Sequence, residues 1–168
     1  VFPVESRYLD FEYSPGDELN LEILHKNTDL EMAFWGVLEK ALQNLNLTRK
    51  DVAGSLKLTS NIPVGAGMGA SATLCVSLAK WLSELGFLEA NKQYEFSKNL
   101  ENLFHGESSG VDVAVALNHQ ALEFKKPDFM KSFDPKWKPK FYLSYCGKRG
   151  VTADCIQRVQ TMIESNPA

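Results

Sequence analysis

Apolar and polar residues alternate along "SRYLDFEYS" (6–14) and again along "LNLEILH" (19–25), the two-residue period of half-buried strands. Between them stands Ser14-Pro15-Gly16-Asp17, turn chemistry that predicts a hairpin joining the two. The period then changes. Leu30, Ala33, Phe34, Val37, Leu38, Ala41, Leu42 and Leu45 recur at steps of three and four, an amphipathic helix with Thr28 or Asp29 as its cap. "GSLKLTSNI" (54–62) alternates once more, as a strand. After Gly69 the positions Leu74, Val76, Leu78, Ala79, Leu82 and Leu85 are too apolar all round for a surface helix, so this one is expected at the centre, stopped by Gly86. Residues 91–104 predict a helix with a polar face that ends at His105-Gly106, and "VDVAVAL" (111–117) a short buried helix. Residues 120–125 and 140–147 read as strands and 152–165 as a closing helix. Strands and helices alternate, but a hairpin is mixed in. That predicts an α+β two-layer sandwich rather than a doubly wound parallel sheet.

Composition narrows the classes. The 168 residues are 44% apolar and 23% charged, enough for one domain with a real core. A net charge of −3 without a basic stripe argues against a nucleic-acid surface. The lysines at 125, 126, 131, 136, 138 and 140 are interrupted by Asp128, Asp134 and prolines, which predicts a solvated loop. Cys75, Cys146 and Cys155 lack zinc spacing and do not pair evenly, which points to a reducing cytoplasm. No apolar run is long enough for a membrane span. Val1 is not an initiator, and the first residues read as joining a fold in progress, so the chain is expected to be part of a longer protein.

The chemistry begins at "NIPVGAGMGASA" (61–72), where three glycines stand directly before a helix. Glycine there lets a ligand approach the unpaired amides of a helix start, whose dipole favours an anion. A bare glycine turn is a weak signal, and this one is neither a Walker loop, which needs Lys before its Ser/Thr, nor a Rossmann loop. Further on, "ENLFHGESSGVDVAVAL" (101–117) carries two candidate acids. Glu101 can share a helical face with His105, four residues on, and Asp112 follows a Ser-Gly-Val turn at a helix start. Taken singly, Glu101 reads as a surface acid and Asp112 as an ordinary helix cap.

Taken together, these segments resemble the GHMP small-molecule kinases. The stretch Pro63-x-Gly65-x-Gly67-Met68-Gly69-Ala70-Ser71-Ala72 is similar to their phosphate loop, P-x-x-x-G-L-G-S-S-A-A, with Met68 for Leu and Ala70 for the first Ser. The second segment resembles the mevalonate kinase branch, which has Glu, then His-Gly, then Pro-Ser-Gly-[Ile/Val]-Asp, its Glu eleven residues before its Asp. Glu101 and Asp112 have that separation, with Ser108 in place of the Pro, a change expected to affect loop rigidity more than chemistry. The resemblance spans about residues 58–124, with an echo near 142–159.

What the resemblance implies is as follows. The fold is a two-layer sandwich of the ribosomal protein S5 domain 2-like type, a mixed sheet with helices on one face, residues 1–168 being the ATP-binding domain without its first strand and its C-terminal partner domain. ATP binds at Gly65, Ala66, Gly67, Met68, Gly69, Ala70 and Ser71, with Ser60 at the nucleotide. Mg²⁺ is held by Ser71 and Glu101, Asp112 is the catalytic base, and Thr152 approaches the phosphates or substrate. His105 is structural. The partners are ATP and a small alcohol, mevalonate first, with no nucleic acid and no membrane, and a homodimer left open. Another GHMP kinase, such as phosphomevalonate kinase, and a non-catalytic binding protein remain as alternatives. The family's opening Lys motif and its glycine-rich third motif do not occur in these residues.

Overall fold

The computed structural model describes residues 1, 3–4, 6–24, 27–125, 129–134, 136, 140, 142, 144, 161–162 and 165. In chain order they form β1 (Leu9–Pro15), β2 (Asn20–Ile23), α1 (Thr28–Leu45), β3 (Gly54–Ser60), α2 (Ala70–Glu84), a 3-10 turn (Ala90–Lys92), α3 (Gln93–His105), α4 (Val111–Asn118), β4 (Leu122–Lys125) and β5 (Phe129–Ser132). The strand expected at 140–147 and the helix expected at 152–165 lie largely outside the described residues, as do Cys146 and Cys155.

The sheet order is β1-β3-β2, with β1 antiparallel and β2 parallel to β3. Because side chains alternate, register sorts the sheet into rows. Tyr13, Leu56 and Leu21 form one apolar row, and Phe11, Leu58 and Ile23 the next, all packed into the core. Glu12, Lys57 and Glu22 form a polar row on the opposite face, with Lys57 Nζ 3.9 Å from Glu12 Oε2.

The hairpin predicted between β1 and β2 does not form, because β3 lies between them. Leu56 and Leu58 of β3 are buried and need apolar neighbours on both sides, which β1 and β2 supply together. The β1–β2 connection instead passes over the start of β3, where the Gly54 amide donates to the Glu18 carbonyl at 3.1 Å. A β-carbon on Gly54 would lie 2.5 Å from the Ser14 carbonyl oxygen, so only glycine permits that crossing. Turn chemistry was legible there, but the pairing across it was not.

Helix α1 lays Leu30, Phe34, Val37, Leu38, Ala41 and Leu42 on the core. Its cap is Asn27, whose side chain accepts from the Leu30 amide at 3.1 Å, so Thr28 and Asp29 already lie in the first turn. Helix α2 is central, as its pattern implied. One side packs Leu74, Leu78, Trp81 and Leu82 against α1 and the sheet, with Trp81 5.5 Å from the Phe11 ring and 5.4 Å from Tyr13. Its other side packs Ala72 and Val76 against Val113 of α4. The lysine-bearing stretch is exposed where described, but it is not all loop: β5 pairs antiparallel with β4.

Gly110, at the start of α4, has φ 78°. A β-carbon there would run into the Tyr94 hydroxyl and come within 3.2 Å of Lys98 Cδ. Gly110→Ala is therefore expected to lower stability by about 1–3 kcal/mol through left-handed strain and overpacking. Urea unfolding checks this, and an unchanged midpoint would contradict the close packing.

Candidate functional site

Strand β3 delivers the chain to a loop whose exit is fixed by polar side chains. The Ser60 hydroxyl donates to the Tyr8 carbonyl and accepts from the Ile62 amide, both at 3.2 Å. Asn61 accepts from the Tyr8 amide and donates to the Ser6 carbonyl, both at 2.9 Å. These bonds make Ser60 and Asn61 a brace between β1 and the loop. The chain then turns through Gly65, Gly67 and Gly69, with φ of 77°, 70° and 68°. Gly69 is the N-cap of α2 and offers no side-chain acceptor. The amides of the first turn, Ala70 and Ser71 among them, thus stand at the positive end of a 15-residue helix without a side-chain cap.

Asp112 comes to this helix end from α4. Its Cβ, Cγ and Oδ2 lie 3.8, 3.9 and 4.0 Å from where a β-carbon on Gly69 would stand. The residue is in the first turn of α4 and is exposed. Two helix starts, both capped by left-handed glycines, therefore meet with one carboxylate between them.

Glu101 is not a surface acid: it is 3% exposed on the inner face of α3. Ser71 of α2 and Glu101 reach the same nitrogen, since His105 Nε2 is 3.3 Å from Ser71 Oγ and 3.9 Å from Glu101 Oε1. The other carboxylate oxygen, Oε2, accepts a hydrogen bond from the Ser108 hydroxyl. Burial holds the Glu101 carboxyl above its ordinary value; the Ser108 bond opposes that rise, the Asp112 charge adds to it and His105 opposes it. Burial, reinforced by the Glu101 charge, likewise raises the thiol of Cys75, a free cysteine inside the core. Among the described residues no group of three or more His, Cys, Asp or Glu side chains is placed to hold a metal ion alone.

Of the residues singled out from sequence, Ser71, Glu101 and His105 come together, and Asp112 stands against Gly69. Ser60 lies at the foot of the loop with its hydroxyl bonded to backbone. Thr152 lies outside the described residues. Sequence reasoning missed Ser108, which it weighed only as a change in loop rigidity, although its hydroxyl touches Glu101. It also missed Asn102, whose side chain accepts from the Ser108 amide at 2.7 Å. The only available signal was two small polar residues flanking Gly106, because α3 ends between Glu101 and Ser108 and helical periodicity stops there.

Residues 32–120 match the family model described as "GHMP kinases N terminal domain", more than half of the chain. The chain belongs to the GHMP kinase family. Among curated relatives, a mevalonate kinase of Pyrococcus abyssi is 34% identical over 116 residues, covering 67% of this chain and 34% of that protein. One of Dictyostelium discoideum is 31% identical over 112 residues, covering 51% of this chain and 27% of that protein. The chain spans about a third of the length of the Pyrococcus relatives it matches. In fold it is similar to the crystal structure of L. major mevalonate kinase in complex with R-mevalonate, with a TM-score of 0.64 at 19% identity over 96% of this chain and 53% of that one. The α+β class and the helices on one sheet face are therefore those of a GHMP kinase. Ser60, the glycine loop, Ser71, Glu101 and Asp112 all fall within the family match, and Thr152 falls beyond it. Among the described residues, no helix of this GHMP kinase domain is long and apolar enough to cross a membrane.

Proposed function

We propose that residues 1–168 are the ATP-binding domain of a kinase that phosphorylates the hydroxyl of a small alcohol, mevalonate first, in the cytoplasm. The observation that carries this reading is the convergence at α2: an uncapped helix start after three left-handed glycines, with Asp112 against Gly69 and Glu101 behind Ser71. Uncapped amides suit the phosphates of ATP, since a helix start donates hydrogen bonds and partial positive charge to an anion.

The donors fit magnesium. Mg²⁺ prefers hard oxygens and is usually held by one or two carboxylates plus substrate phosphates rather than by a full protein cage. Ser71 and Glu101 offer a hydroxyl and a carboxylate on either side of His105 Nε2, and no larger acidic cluster is present among the described residues. Held by Ser71 and Glu101, the ion would neutralise charge that builds on the phosphates during transfer. The residues of this chain do the rest. The loop at 65–71 holds the nucleotide phosphates, and Asp112 orients the acceptor hydroxyl. As the acceptor oxygen forms its bond to the γ-phosphorus, the bond from that phosphorus to the β-phosphate oxygen breaks. The hydroxyl proton passes to the Asp112 carboxylate, and ADP leaves. Positioning and charge stabilisation supply most of the acceleration in such transfers.

The test is ADP release by the full-length protein with MgATP and, in turn, mevalonate, phosphomevalonate, homoserine and galactose. Turnover with mevalonate alone is the expected result. Turnover with another acceptor keeps the mechanism and replaces the substrate. No turnover with any of them, despite ATP binding, would overturn the kinase reading in favour of a binding role.

A further inference from the structure

Ser108 is 5% exposed and makes three hydrogen bonds that leave it little freedom. Its amide donates to Asn102 Oδ1 at 2.7 Å, which ties it to the last turn of α3. Its hydroxyl oxygen accepts from the Gly110 amide at 3.0 Å, which ties it to the start of α4. A hydroxyl has one proton, and with the Gly110 amide directed at its oxygen, that proton goes to Glu101 Oε2. One side chain thus links the helix that carries Glu101 to the helix that carries Asp112.

A buried carboxylate without such a partner could turn about its last torsion and exchange its two oxygens. With Oε2 occupied, Oε1 is the oxygen left facing His105 Nε2, which also contacts Ser71. We infer that Ser108 is a positioning residue: it fixes Oε2 of Glu101 so that Oε1 is presented toward His105 Nε2, the nitrogen that Ser71 also contacts. This rests on the proposed role of Ser71 and Glu101 as magnesium donors. It assigns chemistry to the position where the sequence pattern of the family has Pro, a residue that can neither donate from its backbone to Asn102 nor bond to Glu101.

The experiment uses the full-length protein and four variants, Ser108→Ala, Ser108→Thr, Ser108→Val and Glu101→Gln, with Mn²⁺ as the probe ion. Mn²⁺ affinity is measured by electron paramagnetic resonance in the presence of a non-hydrolysable ATP analogue. The Mg²⁺ concentration for half-maximal rate is measured beside it. Ser108→Ala is expected to weaken Mn²⁺ binding about 10-fold, in the range found when a residue orienting a metal ligand is lost. The Mg²⁺ requirement rises by a similar factor and kcat at saturating Mg²⁺ falls by less. Ser108→Thr keeps the hydroxyl and retains affinity, whereas Ser108→Val, of the same shape without it, does not. That pair carries the test if the alanine variant fails to fold. Combined with Glu101→Gln, Ser108→Ala should add little further loss, because both act through one carboxylate. Affinity within twofold of wild type in Ser108→Ala or Ser108→Val, or additive losses in the double variant, would overturn the inference. If Glu101→Gln itself leaves Mn²⁺ affinity unchanged, the metal reading of the site fails. If Glu101→Gln weakens binding and the Ser108 variants do not, only the role of Ser108 fails.

Discussion

Asp112→Asn is expected to lower kcat by about 10²–10⁴-fold, the usual contribution of a positioned proton acceptor. Binding of ATP should stay within about twofold. The two outcomes separate because the amide keeps the shape and contacts of the carboxylate beside Gly69 but cannot take a proton. Asp112 is exposed at the first turn of α4, so the substitution removes no buried partner and should leave the melting temperature nearly unchanged. A second effect works in the opposite sense. The Asp112 charge adds to the rise that burial imposes on the Glu101 carboxyl, so its removal makes Glu101 easier to ionise and does not weaken its claim on a cation. A loss of turnover therefore reports on proton transfer rather than on the metal. The measurements are steady-state ADP release at saturating Mg²⁺ and calorimetric titration with ATP. A kcat within tenfold of wild type would remove Asp112 from the role of base.

How much of this was legible in the sequence depended on the range of the interaction. Helices α1 to α4 follow from periodicity, and α2, α3 and α4 also from a glycine at an end, because both signals are local. The central position of α2 was legible too, since apolar residues on every side leave no face for water. Strand pairing was not: β1 and β2 alternate as hairpin partners would, yet the place of β3 between them is set by the burial of Leu56 and Leu58 from both sides. The site divides in the same way. The glycine loop, Ser71, Glu101 and Asp112 stood out by type and spacing. The convergence of Ser71 and Glu101 on His105 Nε2 needed α2 and α3 to pack side by side, which no spacing encodes. Ser108 was discounted because its effect is carried by a hydroxyl directed back across a helix end. Within a sequence motif, such a residue reads only as a departure from the pattern.

Glu101→Gln is expected to raise the Mg²⁺ concentration for half-maximal rate by at least about 10-fold and, with the metal chelated, to raise thermal stability at neutral pH. The first effect follows from the loss of the only charged donor proposed for the ion, since even residues orienting a metal ligand contribute 10–100-fold to affinity. The second follows from the direction of the Glu101 shift, in which burial outweighs the Ser108 hydrogen bond. A carboxyl raised in the folded state favours its protonated form there. Its contribution to stability is fully present below the ordinary value of 4.5 and is lost as pH rises through the folded value. Above its raised folded value the wild-type carboxyl must keep a charge in the interior, whereas Gln is neutral throughout and can still accept from Ser108. The melting curves of the two proteins in EDTA should thus separate at pH 7.5, with Gln the higher, and converge in acid. Convergence at low pH matters most, because a stabilising effect of Gln that persisted there would come from packing rather than from charge. A Gln variant that melts lower than wild type at pH 7.5 would mean that Ser108 and His105 more than offset the cost of burial. An unaltered Mg²⁺ requirement would remove Glu101 from the metal site. Both expected effects together would identify a carboxylate kept buried at a cost to stability because a cation needs it there.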